Sequence, residues 1–354
     1  MPGHRITKHL AAYIISFLEK GYTLKEVAEI TGVHPAIIKG VDRDRLQGKY
    51  DQYKPSEYSR YIAVDEFLLH KGHQYATVVI DLETGHVLFC EEGKKKEQVY
   101  HFINQMGTQW MSHVEAVAMD MNAQYDSAFR EKAPQVKIVY DLFHLVKLYN
   151  DKVLTAMRRR KQNELNEAGD KQGYTMFKGS RYLLLSNRST LQDKDTRAKE
   201  NNRFLSENYL KKGLSLPPGT RIMHTGNEAR LDALLSANSE FSAAYILLEQ
   251  LKLAFKTDNE KELASGMHSW LKLARQCKSE EIHSYADTID NHLEGIVNHA
   301  RFPISTGKLE GTNNMIKTIR RKSYGLPDTP YFFWKIMEAS RKPYAQFKSH
   351  RFLL

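Results

Sequence analysis

Three aspartates in this sequence lie within or at the ends of apolar runs: Asp65 in YIAVDEF, Asp120 in AVAMDMN and Asp141 in IVYDLFH. An ionised carboxylate beside buried strand is costly unless it is paired or binds a metal. Neighbouring strands lie about 4.8 Å apart, so two such aspartates on adjacent strands can share one ion. The chemistry this suggests is metal-assisted phosphoryl transfer. Carboxylate oxygens are the ligands Mg²⁺ prefers. Two ions about 4 Å apart activate an attacking water or 3′-hydroxyl and stabilise the leaving oxygen. A lone strand-end Asp also has a plainer reading, as a helix N-cap or turn residue. Asp141, directly before a helical stretch, suits that role. Asp81, beside the Glu83-Thr84-Gly85 turn, reads as structural.

A fourth carboxylate stands in the segment STGKLEGTNNMIKTIRRK (305–322). Leu309, Thr312, Ile316 and Ile319 form the apolar stripe of a helix. The other face carries Glu310, Asn313, Asn314, Lys317 and Arg321. A Glu among amides and cations suits a metal-binding carboxylate beside a phosphate backbone, where cations neutralise phosphate and amides meet sugar and base. The alternative is a solvated face with an interaction between Glu310 and Lys317. Competing chemistries lack their motifs: the chain has no GxxxxGK[ST], no HExxH and no GxGxxG after a strand. Cys90 and Cys277 are far apart and no CxxC occurs, which disfavours a disulfide scaffold or thiolate zinc site.

The elements that must position these residues follow from periodicity. YIAVDEFLL (61–69), YATVVIDL (75–82), HVLFC (86–90), VEAVAMD (114–120) and VKIVYD (136–141) read as strands, with helices at 95–107, near 123–132 and from Leu142 onward. The order β-β-β-α-β-α-β-α predicts a mixed sheet covered by helices. Residues 150–300 read as almost wholly helical, with a break at Leu214–Gly219. A helix over 307–322, a break at Gly325-Leu326-Pro327 and an aromatic helix at 330–341 end the chain. Ahead of the sheet, residues 5–20 read as an amphipathic helix. TLKEVAEITGVHPAIIKGVDRDRL (23–46) reads as helix, tight turn at Gly32, helix, with Thr23 and Glu26 as a capping box. Its second helix would offer His34, Lys39, Arg43 and Arg45 to DNA. A plain helical hairpin is the alternative.

The formal charge is +10, from 52 Lys and Arg against 42 Asp and Glu. It is concentrated in two blocks, residues 151–230 and 301–354, each with a net charge of +8, whereas 1–150 carries −1 and 231–300 carries −5. Clustered cations are the expected footprint of a polyanion-binding surface. The longest apolar stretch, LAAYIISFL (10–18), is too short for a membrane span, and no secretion signal is evident. The expected setting is therefore the cytoplasm.

Four blocks, VDEFLLHKGHQYATVVIDLETGHVL (64–88), AMDMNAQY (118–125), DLFHLVK (141–147) and ISTGKLEGTNNMIKTIRRKSYG (304–325), occur in an order that resembles the ISL-three family of bacterial insertion-sequence transposases, of the D-D-E type. The resemblance implies an RNase H-like catalytic core interrupted by a helical insertion. Asp65, Asp120 and Glu310 would be its catalytic, metal-binding carboxylates, with two Mg²⁺ (or Mn²⁺) ions. The implied organisation is a helix-turn-helix domain at 1–48, a linker at 49–60, the first part of the catalytic domain at 61–150, the insertion at 151–300, and catalytic-domain helices carrying Glu310 at 301–354. The implied activity is cleavage at the element ends and joining of the 3′-OH to target DNA. The partners would be duplex DNA, as terminal inverted repeats and target, and further copies of the chain. His144, Asn313, Asn314, Lys317, Arg320 and Arg321 are candidate DNA or supporting contacts. Arg158, Arg159, Arg160 and Lys161 would grip the backbone, while Asp141 could stand in for Asp120. A nuclease that only hydrolyses, or an inactive transposon-derived DNA-binding protein, are the rival readings. One departure is visible: family members commonly carry a Cys-rich zinc-binding segment before the helix-turn-helix, and residues 1–60 contain no Cys.

Overall fold

A computed structural model describes residues 6–70, 72–213, 215, 223–302, 304, 307–323 and 327–341. Most of the breaks expected at Leu214–Gly219 and Gly325–Pro327 lie outside the described residues. In chain order the elements are α1 (Lys8–Glu19), α2 (Leu24–Thr31), α3 (Pro35–Tyr50), β1 (Tyr61–His70), β2 (Gln74–Asp81), β3 (Val87–Glu92), α4 (Lys96–Met106), α5 (Thr108–Met111), β4 (Ala116–Met119), α6 (Ala123–Lys132), β5 (Lys137–Tyr140) and α7 (Leu142–Tyr149). A π-helical segment at Asn150–Thr155 then leads into α8 (Ala156–Glu167), α9 (Lys171–Phe177), α10 (Arg181–Leu185), α11 (Arg188–Lys211) and α12 (Asn227–Ser236). They are followed by α13 (Ser239–Ala254), α14 (Glu260–Gln276), α15 (Glu280–Asn291), α16 (Leu293–Arg301), α17 (Gly307–Lys322) and α18 (Thr329–Ser340). No helix among the described residues is long and apolar enough to cross a membrane.

The chain forms two compact units, one from Met1–Val139 with Ile304–Leu354 and the other from Tyr140–Pro303. In the first, the strands form one mixed sheet in the order β3-β2-β1-β4-β5. The hairpins β1–β2 and β2–β3 are antiparallel, whereas β1 and β4 run parallel in the register Tyr61↔Ala116, Ile62↔Val117, Ala63↔Ala118. Helices α17 and α18 cover one face. Leu309 and Ile316 of α17 and Tyr331, Phe332 and Ile336 of α18 pack with Ala63, Phe67, Val78 and Ile80 of the sheet. Helix α17 spans the range its apolar period predicts, with Leu309, Thr312 and Ile316 buried. Asp81 serves the turn, as expected: its Oδ1 accepts from the Glu83 and Thr84 N–H groups, both at 2.7 Å, and its Oδ2 from Ser59.

The N-terminal helices cluster around Ala11, Ile14, Leu18, Val27, Ile38 and Val41. Helix α2 starts at the capping box of Thr23 and Glu26 and ends at Gly32, whose φ of 67° lies where a side chain would be strained. Pro35 opens α3, consistent with its missing N–H and fixed φ. Helix α3 then packs on α18 through polar groups. Asp42 is fully buried, and its Oδ1 accepts from Arg45 Nη2 (2.8 Å), while its Oδ2 accepts from Tyr331 Oη (2.6 Å) and Lys335 Nζ (2.8 Å). Glu338 of α18 accepts from Arg45 Nη1 (2.9 Å), Lys49 Nζ (3.0 Å) and Tyr50 Oη (2.5 Å).

The second unit is helical among its described residues, apart from Tyr140 at the end of β5. Tyr149, Trp270 and Tyr285 meet edge to face at its core. The Tyr149 and Tyr285 hydroxyls donate to the carbonyls of Ala244 (2.7 Å) and Leu145 (3.0 Å), so buried polar tips are satisfied.

Candidate functional site

Side chains alternate along a strand, so Asp65 shares the face of Ala63 and Phe67, the face that α17 and α18 cover. The parallel register pairs Ala63 with Ala118. Asp120, two residues beyond Ala118, therefore follows β4 on the same side as Asp65. The Asp65 carboxylate receives two hydrogen bonds, from the Glu66 N–H to Oδ1 and from Asn313 Nδ2 to Oδ2, each at 2.8 Å. Burial, and after it the negative charge of Asp120, push Asp65 up to about 6. The bonds from Asn313 and the Glu66 backbone oppose this only in part. The site is thus two neighbouring carboxylates without a built-in cation on Asp65.

Glu310 lies in the first turn of α17, exposed, one turn before Asn313. Residues three apart on a helix are neighbours, so the helix face that touches Asp65 is also the Glu310 face. The charge of Asp120 acts on Asp65, and Asn313 of α17 donates to it. Among the described residues, no group of three or more His, Cys, Asp or Glu side chains could hold a metal ion. Helix α17 approaches Asp65 with a neutral amide, and Glu310 is exposed. A carboxylate that sequence reasoning passed over is Glu66, on the opposite face of β1, which accepts from Asn122 Nδ2 at 3.1 Å. Strand alternation in VDEF was the signal that could have found it.

The other expected contacts divide into exposed and engaged groups. Asn314, Lys317 and Arg321 are exposed along α17. Arg320 turns inward instead: its Nη1 donates to the Leu68 carbonyl at 2.7 Å, its guanidinium lies over the Phe332 ring, and burial lowers its pKa. On α3, His34 caps the helix by accepting the Ala36 N–H at 3.2 Å on Nδ1. Lys39 lies over the Tyr331 ring and Arg43 pairs with Asp328 at 3.5 Å. The expectation that Arg45 stands free for DNA is corrected. Its side chain is 11% exposed and held by Asp42 and Glu338, because two buried carboxylates need its charge.

In the helical unit, Asp141 caps α7 by accepting the Phe143 N–H at 2.9 Å, the plainer of its two readings. His144 is half-buried, its ring edge-on to Phe143. Arg158 donates to Gln162 at 2.5 Å and Arg159 is exposed. Arg160 is paired with Glu164, Glu240 and Glu281, and Lys161 with Glu164. Much of the charge at 160–161 is therefore spent within the protein.

Residues 62–336 match the family model for DDE transposases of the ISL-three type, described as "Transposase". The chain is 31% identical over 335 residues to the "Transposase for insertion sequence element IS1001" of Bordetella parapertussis, covering 95% of this chain and 74% of that protein. It is 22% identical over 285 residues to the "Transposase for insertion sequence element IS1557" of Mycobacterium tuberculosis, covering 75% of this chain and 56% of that protein. A two-aspartate mixed sheet, a returning helix with Glu310, and a match over most of the chain lead to one conclusion: the protein belongs to the ISL-three family of insertion-sequence transposases.

Proposed function

We propose that this transposase cleaves the ends of its insertion sequence and joins the freed 3′-OH to target DNA, in an RNase H-like catalytic core that requires divalent metal. The observation that carries this reading is the pairing of Asp65 with Asp120. They are neighbours across a parallel strand pair, and Asp65 is raised to about 6 by burial and by Asp120's charge. Two carboxylates so placed offer oxygen ligands to a hard divalent cation. The buried Oδ1 of Asn313, which accepts no hydrogen bond among the described residues, adds an oxygen on the same side. Asp65 and Asp120 would hold Mg²⁺ or Mn²⁺ and Glu310 would complete the set. The bound ions supply Lewis-acid activation of the attacking oxygen and stabilise the leaving one.

The rest of the chain positions DNA. Helices α1–α3 act as a helix-turn-helix domain on the terminal inverted repeats, with His34, Lys39 and Arg43 at its DNA side. Lys317 and Arg321 neutralise phosphate beside the carboxylates, and Asn314 meets sugar and base. Arg158, Arg159 and the half-buried His144 serve the helical unit's share of the DNA. The protein acts as a homo-oligomer on DNA at the nucleoid, since two element ends must be processed together.

The test is incubation of the protein with element-end duplex, target plasmid and Mg²⁺. End cleavage and strand joining are expected, both lost in Asp65→Asn with DNA binding kept. Cleaved ends that never join would instead identify a hydrolytic nuclease, and binding without cleavage an inactive DNA-binding protein.

A further inference from the structure

The side chain that α17 brings to the aspartates is Asn313, and its two polar atoms are in different situations. Nδ2 donates to Asp65 Oδ2 at 2.8 Å. Oδ1 is buried and accepts nothing among the described residues. The amide's orientation is set by chemistry, because the reverse flip would place Oδ1 against a carboxylate oxygen. A buried amide oxygen left unpartnered is costly, and the surrounding charge on Asp65 and Asp120 is negative. With the Asp65 carboxylate bound on its other side, this oxygen suits a cation or a donor carried by one.

We infer that Asn313 is a neutral oxygen donor of the divalent-metal site: Nδ2 anchors the Asp65 carboxylate while Oδ1 faces the ion or its bound water. This rests on the functional reading above and refines it. The contribution of α17 is then not a carboxylate alone but two side chains one turn apart, Asn313 fixed on Asp65 and Glu310 free to enter from solvent. An amide suits this place because it holds Asp65 without neutralising it. A Lys or Arg there would occupy the charge that the cation needs, as Lys335 does at Asp42.

The test measures Mn²⁺ binding to the full chain by electron paramagnetic resonance, without DNA, in four proteins. Wild type should bind Mn²⁺, and Asp65→Asn should lose it. Asn313→Ala should weaken it by roughly 10- to 100-fold. Asn313→Asp keeps an oxygen but adds a third repelling charge. It should melt lower than wild type without metal, and Mn²⁺ should raise its melting temperature by more than it raises wild type's. An Asn313→Ala protein that folds and binds Mn²⁺ as tightly as wild type would overturn the inference, leaving Asn313 as a structural clasp. So would an Asn313→Asp protein whose melting Mn²⁺ raises no more than wild type's. If wild type and Asp65→Asn bind Mn²⁺ equally, the metal-dependent reading itself fails, and the failure is not Asn313's.

Discussion

Asp42 on α3 and Asp65 on β1 belong to the same unit, and each sits among side chains of the C-terminal helices. Asp42 meets Lys335, Tyr331 and Arg45, which overcome its burial and hold its carboxyl below the usual range. Its neighbour in the network, Glu338, is likewise opposed by burial. Hydrogen bonds from Tyr50, Arg45 and Lys49 still bring it down to about 2. Asp65 meets an amide, a backbone N–H and a second carboxylate, and moves the other way, up to about 6. The chain evidently can supply cations to buried acids, and it does so where α3 must be fastened to α18. At Asp65 on β1 the hydrogen-bond donors are an amide and a backbone N–H. Asp42 and Glu338 come with their counter-charges, while Asp65 is where, on the proposed reading, an external charge belongs.

The sharpest way to break this contrast is chemical. Asp65→Asn and Asp120→Asn should each lower element-end cleavage by on the order of a thousandfold, with DNA retention in a gel-shift assay unchanged. A protein that cleaves normally without Asp65 would remove the distinction between the two acids.

Next in size is the structural network. Asp42→Ala or Arg45→Ala leaves an uncompensated buried charge and should cost about 3–5 kcal/mol in urea unfolding. Loss of under 1 kcal/mol would mean that Asp42 is not fastening α3 to α18.

Acid titration separates the two sites by sign. Asp65 has a folded-state value above its ordinary 3.8, so its contribution is fully present below about pH 4 and lost as pH rises through about 6. Metal-free protein should thus lose up to roughly 3 kcal/mol between pH 4 and 7 relative to Asp65→Asn, and Mn²⁺ should restore it. Glu338 is depressed from 4.5 to about 2, so its contribution is present above pH 4.5 and lost as pH falls through 2. Identical pH profiles for wild type and Asp65→Asn would contradict the first half.

The smallest effect is expected at Lys49. It is half-exposed, at 51%, and Tyr50 and Arg45 remain on Glu338 without it. Lys49→Ala should cost under about 1 kcal/mol by thermal melting. A larger cost would shift the weight of the network from its buried to its exposed members.

Much of this was legible in the residues. The five strands and α17 follow from apolar period, and Asp65 and Asp120 stood out because charge interrupts or ends those runs. Asp141's capping role was legible for the same local reason. The failures are all long-range. Arg45 reads as a free cation on an amphipathic helix, and nothing near it in the chain reveals Glu338, 293 residues away. Asn313 and Arg320 read as a polar face because a helical stripe gives direction but not partner. The π-helical segment at Asn150–Thr155 was not read from the sequence, whose apolar period there is that of an ordinary helix. Periodicity reports which side of an element is buried, and the partner's identity is settled only by tertiary contact.

The first unit is discontinuous, with Tyr140–Pro303 lying between its two stretches. A ribosome therefore releases the whole sheet long before the helices that cover it. Until translation passes Ser340, the strand face bearing Phe67, Val78 and Ile80 lacks its full cover, and until it passes Asn313, Asp65 lacks the amide that donates to it. Nascent or prematurely terminated chains would present a greasy sheet to chaperones and proteases. Fragments stopping short of α17 would also lack the helix that holds Asp65, so on the proposed reading an unfinished chain is unable to act on DNA.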